Sequence, residues 1–217
     1  MSNIIKSAKL DFSLLKPYTI TICILMLFPV LIAVSLRRSV AIDVSFVMFI
    51  IGTTTAYPFS IIEKNSAERL YGILPIRKSE IVIGRYIYII CIGLTSLIVS
   101  LILFPVALIA LGAHITMSEI VSAIVVGIFV FGLYTSVQIP GYYKFGAIKG
   151  QAFCIVPIAG FILSLYLITK FQIENNAVIT GILNSPALLI LTVIAMVIVM
   201  FAVSMMISIS IFKNKEI

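Results

Sequence analysis

Residues 81–111 read IVIGRYIYIICIGLTSLIVSLILFPVALIAL, an unbroken apolar run whose one charge, Arg85, lies near its start. A helix crossing the ~30 Å hydrocarbon core of a bilayer needs about 20 such residues. This run exceeds that, so a straight crossing leaves a surplus that tilt, or a break at Pro105, would take up. Comparable runs recur along the chain. They predict an all-α integral membrane protein with six transmembrane helices, at 17–36, 43–62, 81–111, 117–139, 151–170 and 186–212. Asp43 opens the second span and Ser118-Glu119 the fourth, as acceptors suited to helix N-termini.

Composition agrees. Of 217 residues 62% are hydrophobic and 11% charged, with a mean hydropathy of +1.25. A soluble domain of this size needs far more charge to cover its surface, so the excess apolar surface faces lipid and residues 17–217 read as one membrane domain. The net charge of +7 does not indicate nucleic acid. The Lys and Arg residues lie at the ends of apolar runs, where they report orientation. Twelve of the fifteen fall on one side: Lys6, Lys9, Lys16, Lys64, Arg69, Arg77, Lys78, Arg85, Lys144, Lys149, Lys213 and Lys215. Arg37, Arg38 and Lys170 fall on the other. Both termini are therefore expected in the cytoplasm, with the chain in the cell membrane. Cys23, Cys91 and Cys154 sit inside apolar runs without metal-ligand spacing and read as small hydrophobes. The first residues lack the apolar core and cleavage site of a signal peptide, so the first span is expected to direct insertion.

Two flanking segments carry their own pattern. In 1–16, Ile4, Ile5, Ala8, Phe12 and Leu15 recur at helical spacing, with Lys6, Lys9, Asp11 and Lys16 mostly on other faces. That predicts an amphipathic helix lying in the cytoplasmic interface. Residues 171–185 are long for an outer loop and include a short apolar stretch from Ala177 to Leu183, too short to span.

Chemistry is scarce. The nearest approach to a phosphate-binding loop, Gly141-Tyr-Tyr-Lys-Phe-Gly146-Ala147, has Ala where the Lys belongs and follows no strand. The single histidine, His114, falls in an outer turn, and Asp11 and Asp43 fall at opposite faces, so neither a zinc pair nor an aspartate pair is available. Ion-driven carriers bury charge at depth; here the spans hold mainly hydroxyls, at Thr53, Thr54, Thr55, Thr95, Ser96, Thr135, Ser136, Ser204 and Ser208, with Gln138. Such groups usually bond back to helix carbonyls or hold neighbouring helices together. The cluster Thr53, Thr54 and Thr55 is the candidate for lining a transport pathway. The methionines of the last span, Met196, Met200, Met205 and Met206, read as packing or lipid-facing groups.

The most charged stretch, residues 63–80, joins the second and third spans. Ala67, Leu70, Tyr71 and Leu74 recur at i, i+3, i+4, i+7, an amphipathic helix of about two turns. Asn65, three residues before Glu68, resembles a capping box, and Pro75 prevents continuation. Two readings stand: a simple interfacial anchor, or a short cytoplasmic helix offered to a protein partner. The mixed charge of Lys64, Glu68 and Arg69 favours the partner, because lipid anchors tend to be uniformly basic.

At these residues the chain resembles the ABC-2 type permease subunits of bacterial ABC exporters. The resemblance rests on Glu63, Glu68-Arg69-Leu70, Leu74-Pro75-Ile76-Arg77-Lys78, Val82 and Arg85-Tyr86, and on the second cytoplasmic loop, Ile139-Pro140 through Lys144-Phe145-Gly146 to Lys149-Gly150. It is most similar in character to the small permeases of phenol-soluble modulin exporters. The resemblance implies a half-transporter, paired with a second permease copy or paralogue and driven by a soluble ABC ATPase subunit. No cofactor is then expected in this chain, ATP and Mg belonging to the partner. It also implies that Lys64, Asn65, Ala67, Glu68, Arg69, Leu70, Tyr71, Leu74 and Pro75 form an ATPase-coupling helix, and that Pro140, Lys144, Phe145, Gly146 and Lys149 form a second cytoplasmic contact. The nearly uncharged spans suit an amphipathic or hydrophobic cargo such as a membrane-active peptide. The alternative is a non-transporting membrane immunity or sensor subunit. A secondary carrier is disfavoured by the missing buried charge.

Overall fold

Pro105 does not break the long third run. In the computed structural model, which describes residues 3–24, 27, 40–65, 76–112, 114–150 and 185–215, Lys78–Ala110 forms one continuous helix. At ~1.5 Å per residue its 33 residues reach about 50 Å, well beyond the hydrocarbon core. The surplus is used by packing its first turns against a helix at the start of the chain.

In chain order the described elements are α1 (Asn3–Leu15), a 3-10 turn (Lys16–Tyr18), α2 (Val40–Thr54), α3 (Ala56–Lys64), α4 (Lys78–Ala110), α5 (Met117–Gly150) and α6 (Pro186–Asn214). No strand occurs among the described residues. Among the described residues, four helical stretches are long and apolar enough to cross a membrane: Val40–Lys64, α4, α5 and Ala187–Asn214. The expected first span lies mostly outside the described residues, and the fifth, with 171–184, lies wholly outside.

Three boundaries differ from expectation for identifiable reasons. The second span starts at Val40, which puts Asp43 inside the first turn rather than at its mouth. It is interrupted at Thr55, because Pro58 has no N–H to give the Thr54 carbonyl. The fourth does not end at 139: α5 runs on through Pro140 with helical backbone until Gly146, where φ 81° and ψ 175° turn the chain. The anticipated loop 140–150 is thus mostly helix.

Small residues let the helices approach closely, as lipid-embedded packing favours. A Cβ at Gly132 would stand 2.7 Å from the Val197 side chain across the α5–α6 contact, and one at Gly93 would enter the Phe131 ring at 2.4 Å. The hydroxyls behave as anticipated. Thr95 and Ser96 donate to the Cys91 and Ile92 carbonyls (2.9 and 2.7 Å) and Thr135 to Phe131 (2.6 Å). Between helices, Ser204 of α6 donates to the Ser136 carbonyl of α5 at 2.6 Å, and both Ser204 and Ser208 meet the Tyr86 hydroxyl of α4 at 2.6 and 3.0 Å. Met196 and Met206 are exposed on the outer side of α6, a lipid-facing position.

Helix α1 packs along the first turns of α4 with Ile4, Ser7, Ala8 and Asp11, an i, i+3, i+4, i+7 face that buries two polar residues. Ile5 and Phe12, expected on the same apolar face, stay about half exposed on the flank. The contact depends on Gly84, whose absent Cβ would lie 2.8 Å from both the Ile4 carbonyl and the Ser7 side chain. Gly84→Val should therefore destabilise the chain by about 1–3 kcal/mol. Thermal unfolding in detergent checks this, the expected result being a lowered midpoint and faster proteolysis of α1.

Candidate functional site at the basic end of the bundle

All the described Lys and Arg residues gather where α3, α5 and α6 finish and α4 begins, and α1 lies against that end. His114, Gly112 and Asp43 belong to the other end, where His114 is exposed as expected of a loop residue.

The centre of the basic end is a buried ion pair. Arg85 donates through Nε to Asp11 Oδ2 at 3.1 Å and through Nη2 to Oδ1 at 3.2 Å, with side chains only 4% and 1% exposed. This fork-to-carboxylate geometry is the strong form of the charged hydrogen bond. The guanidinium also lies over the Phe59 ring of α3 at 4.4 Å and within 5.7 Å of the Tyr143 ring of α5. Phe12 of α1 meets Tyr88 of α4 edge-on at 4.9 Å, and Phe59 contacts both Tyr142 and Tyr143. One cation thereby ties four helices together. A cavity of about 20 Å³, roughly one water's room, lies between Arg85, Glu63, Tyr143, Gly146 and Phe212.

Glu63, in the last turn of α3, makes a second tie. Its carboxylate accepts the Ala147 N–H just past the turn in α5. Gly146 suits this position twice over: its φ is left-handed, and a Cβ there would stand 3.0 Å from both Glu63 oxygens. Lys78, at the start of α4, closes the opposite side by donating to the Lys215 carbonyl at 2.7 Å beyond the end of α6, with its charge 5.9 Å from the Phe212 ring. Glu80 accepts the Arg77 N–H at 3.1 Å and so holds the start of α4.

Of the candidate coupling helix, Lys64 and Asn65 are described and exposed at the end of α3; Ala67, Glu68, Arg69, Leu70, Tyr71, Leu74 and Pro75 lie outside the described residues. Of the second contact, Lys144, Phe145 and Lys149 are exposed, Gly146 is the turn, and Pro140 is half-buried inside α5. Exposed Ile148 joins them. Glu63, which precedes Lys64 and Asn65, bridges to Ala147 and so joins the described start of the first segment to the second contact. Thr53, Thr54 and Thr55 each donate to the carbonyl three residues back, at 2.6, 2.7 and 2.7 Å, and Thr54 and Thr55 are buried. Thr53 alone borders a groove, beside Tyr18, Tyr57, Ser60 and Lys64.

Sequence reasoning placed Arg85 among orienting charges and Asp11 on a polar face, and missed their pairing. A signal was present: Asp11 shares the i+7 register of Ile4, and Arg85 follows a glycine inside an apolar run. Among the described residues no cluster of His, Cys, Asp and Glu could hold a metal.

A bundle of long apolar helices with a cross-tied, basic end defines a polytopic membrane protein. The chain belongs to the ABC-2 family transporter proteins, whose family model matches residues 8–213. Such proteins are the membrane component of an ABC transporter rather than its ATPase, and membership implies an ABC ATPase partner. No curated protein and no solved structure matches the chain significantly.

Removing one member of a buried pair strands the other charge, at a cost of about 3–5 kcal/mol. Asp11→Asn and Arg85→Met should each lose that much by equilibrium unfolding in detergent. The double variant Asp11→Leu/Arg85→Met should recover most of the loss.

Proposed function

We propose that this chain is the permease subunit of an ATP-driven exporter in the bacterial cell membrane, with both termini in the cytoplasm. The observation that carries the reading is the family match over residues 8–213, which makes the chain the membrane component of a transporter and supports placing ATP hydrolysis on a partner. The gathering of described Lys and Arg at one end supports a cytoplasmic assignment for that end, since cytoplasmic flanks retain positive charge.

On this reading the partner ATPase engages the basic end through two contacts. One is the amphipathic segment 64–74, entered from exposed Lys64 and Asn65; the other is the exposed group Lys144, Phe145 and Lys149. The Glu63 bridge to Ala147 supports treating them as one surface, because a push on either is carried to the other. ATP and Mg bind the partner. Six spans, a second permease copy or paralogue completing the pathway, and similarity to phenol-soluble modulin exporters complete the proposal.

The lining chemistry supports a reading of the cargo. The groove between α5 and α6 is lined mainly by Val137, Pro140, Val199, Met200, Val203 and Ile207, and the groove that Thr53 borders adds Tyr18, Tyr57 and, at the basic end, Lys64. That surface suits amphipathic or hydrophobic cargo, such as a membrane-active peptide taken laterally from the bilayer, and offers little to a hydrophilic ion.

The chain should co-purify from its native host with a soluble ABC ATPase. The charge reversals Glu68→Lys and Arg69→Glu should lower transport per ATP hydrolysed by roughly tenfold or more, as loss of one buried charged contact at an interface would. Absence of any co-purifying ATPase, or transport restricted to small hydrophilic solutes, would contradict the proposal.

A further inference from the structure

Pro140 sits inside α5, yet the helix keeps its backbone geometry through that position. An α-helix would pair the Ser136 carbonyl with the N–H of residue 140, and proline has none. A carbonyl left open at membrane depth is costly unless another group supplies a donor. Here that donor comes from a neighbouring helix. Ser204 of α6 gives its hydroxyl proton to the Ser136 carbonyl at 2.6 Å. With that proton committed, the Tyr86 hydroxyl of α4 donates to Ser204 at 2.6 Å and can accept from Ser208 at 3.0 Å. Ser136, Tyr86, Ser204 and Ser208 are all at most 8% exposed, so water cannot substitute.

We propose that Pro140 and Ser136 form a hinge in α5, latched by Ser204 and held in register by Tyr86 and Ser208. The missing backbone hydrogen bond leaves α5 softer there than in its unbroken turns, between its membrane part and the segment 141–150, which itself bends at Gly146. That segment carries the Glu63 bridge and exposed Lys144, Phe145 and Lys149. A displacement at the basic end then turns about Pro140 and draws on the Ser204 bond, so α4 and α6 sense it through one proton-ordered chain. The groove beside the hinge, between Val137 and Pro140 on α5 and Val203 and Ile207 on α6, leaves the space such a rotation needs. Tyr86, Ser204 and Ser208 are positioning residues, and their part in transport rests on the proposed function; the latch itself does not.

A double-mutant cycle separates the two. Ser204→Ala should lower the unfolding midpoint of the purified chain by about 2–5 °C, the scale of a lost interhelical hydrogen bond in a chain of this size, and Ser204→Thr should restore it. Pro140→Ala supplies the missing N–H to Ser136. In that background Ser204→Ala should cost clearly less, roughly half as much, because the Ser136 carbonyl no longer depends on Ser204 and only the bond with Tyr86 is lost. Equal losses with and without Pro140 would overturn the latch, whatever partner the chain has. With the co-purified ATPase, Pro140→Ala should lose at least roughly fivefold in transport per ATP hydrolysed, a stiffness effect of about RT ln 5. Full transport by Pro140→Ala would overturn the hinge. Failure to recover any ATPase would instead count against the proposed function and leave the thermal cycle to decide the latch.

Discussion

Taking a carboxylate and a guanidinium out of water costs several kcal/mol for each ion, and only a well-formed contact between them returns it. Asp11 and Arg85 meet that condition with two parallel hydrogen bonds and an aromatic face on the cation. The consequence is geometric. Neither group tolerates separation, so α1 must lie where Asp11 reaches Arg85, and Gly84 must be bare enough to admit the α1 backbone. The Phe59 and Tyr143 rings, drawn to the same cation, set α3 and α5 against α4. The amphipathic helix at the start of the chain is thereby fastened to the bundle by its polar residues.

From that fixed end the remaining helices follow softer rules. In lipid, apolar contact between helices gains little over contact with acyl chains, so close packing and polar pairs hold the bundle. Gly93 and Gly132 bring α4, α5 and α6 within reach, and Ser204 and Tyr86 bond across the gap. The result is a molecule with contrasting stiffness. Its basic end is cross-tied by charge, while α5 is missing one helical hydrogen bond just above those ties. Force applied at the basic end therefore has a defined place to be absorbed.

Much of the bundle was legible because periodicity and charge act locally. The long run at 81–111 could be recognised from hydropathy alone, and the hydroxyls of Thr95, Ser96 and Thr135 bond to their own helix as helical spacing dictates. The interruption at Thr55 was also within reach, since Pro58 stands three residues on. The extension of α5 to Gly150 was not, because Pro140 reads as a stop until a donor from another helix is known to cover the open carbonyl. The pairing of Asp11 with Arg85 was hidden for the same reason. It joins residues 74 apart, and a single chain of letters holds no record of which charges meet. Glu63 and Ala147, 84 residues apart, repeat the lesson.

The central claim is that the cross-tied basic end is the surface on which an ATPase acts. A photoreactive phenylalanine analogue placed at Phe145, which is exposed beside Lys144 and Lys149, reports this directly in native membranes. The account predicts a crosslink from position 145 to an ABC ATPase, and none from the same analogue at Met117 on the opposite end. A crosslink from Met117 with silence from 145, or no ATPase adduct from either, would contradict it.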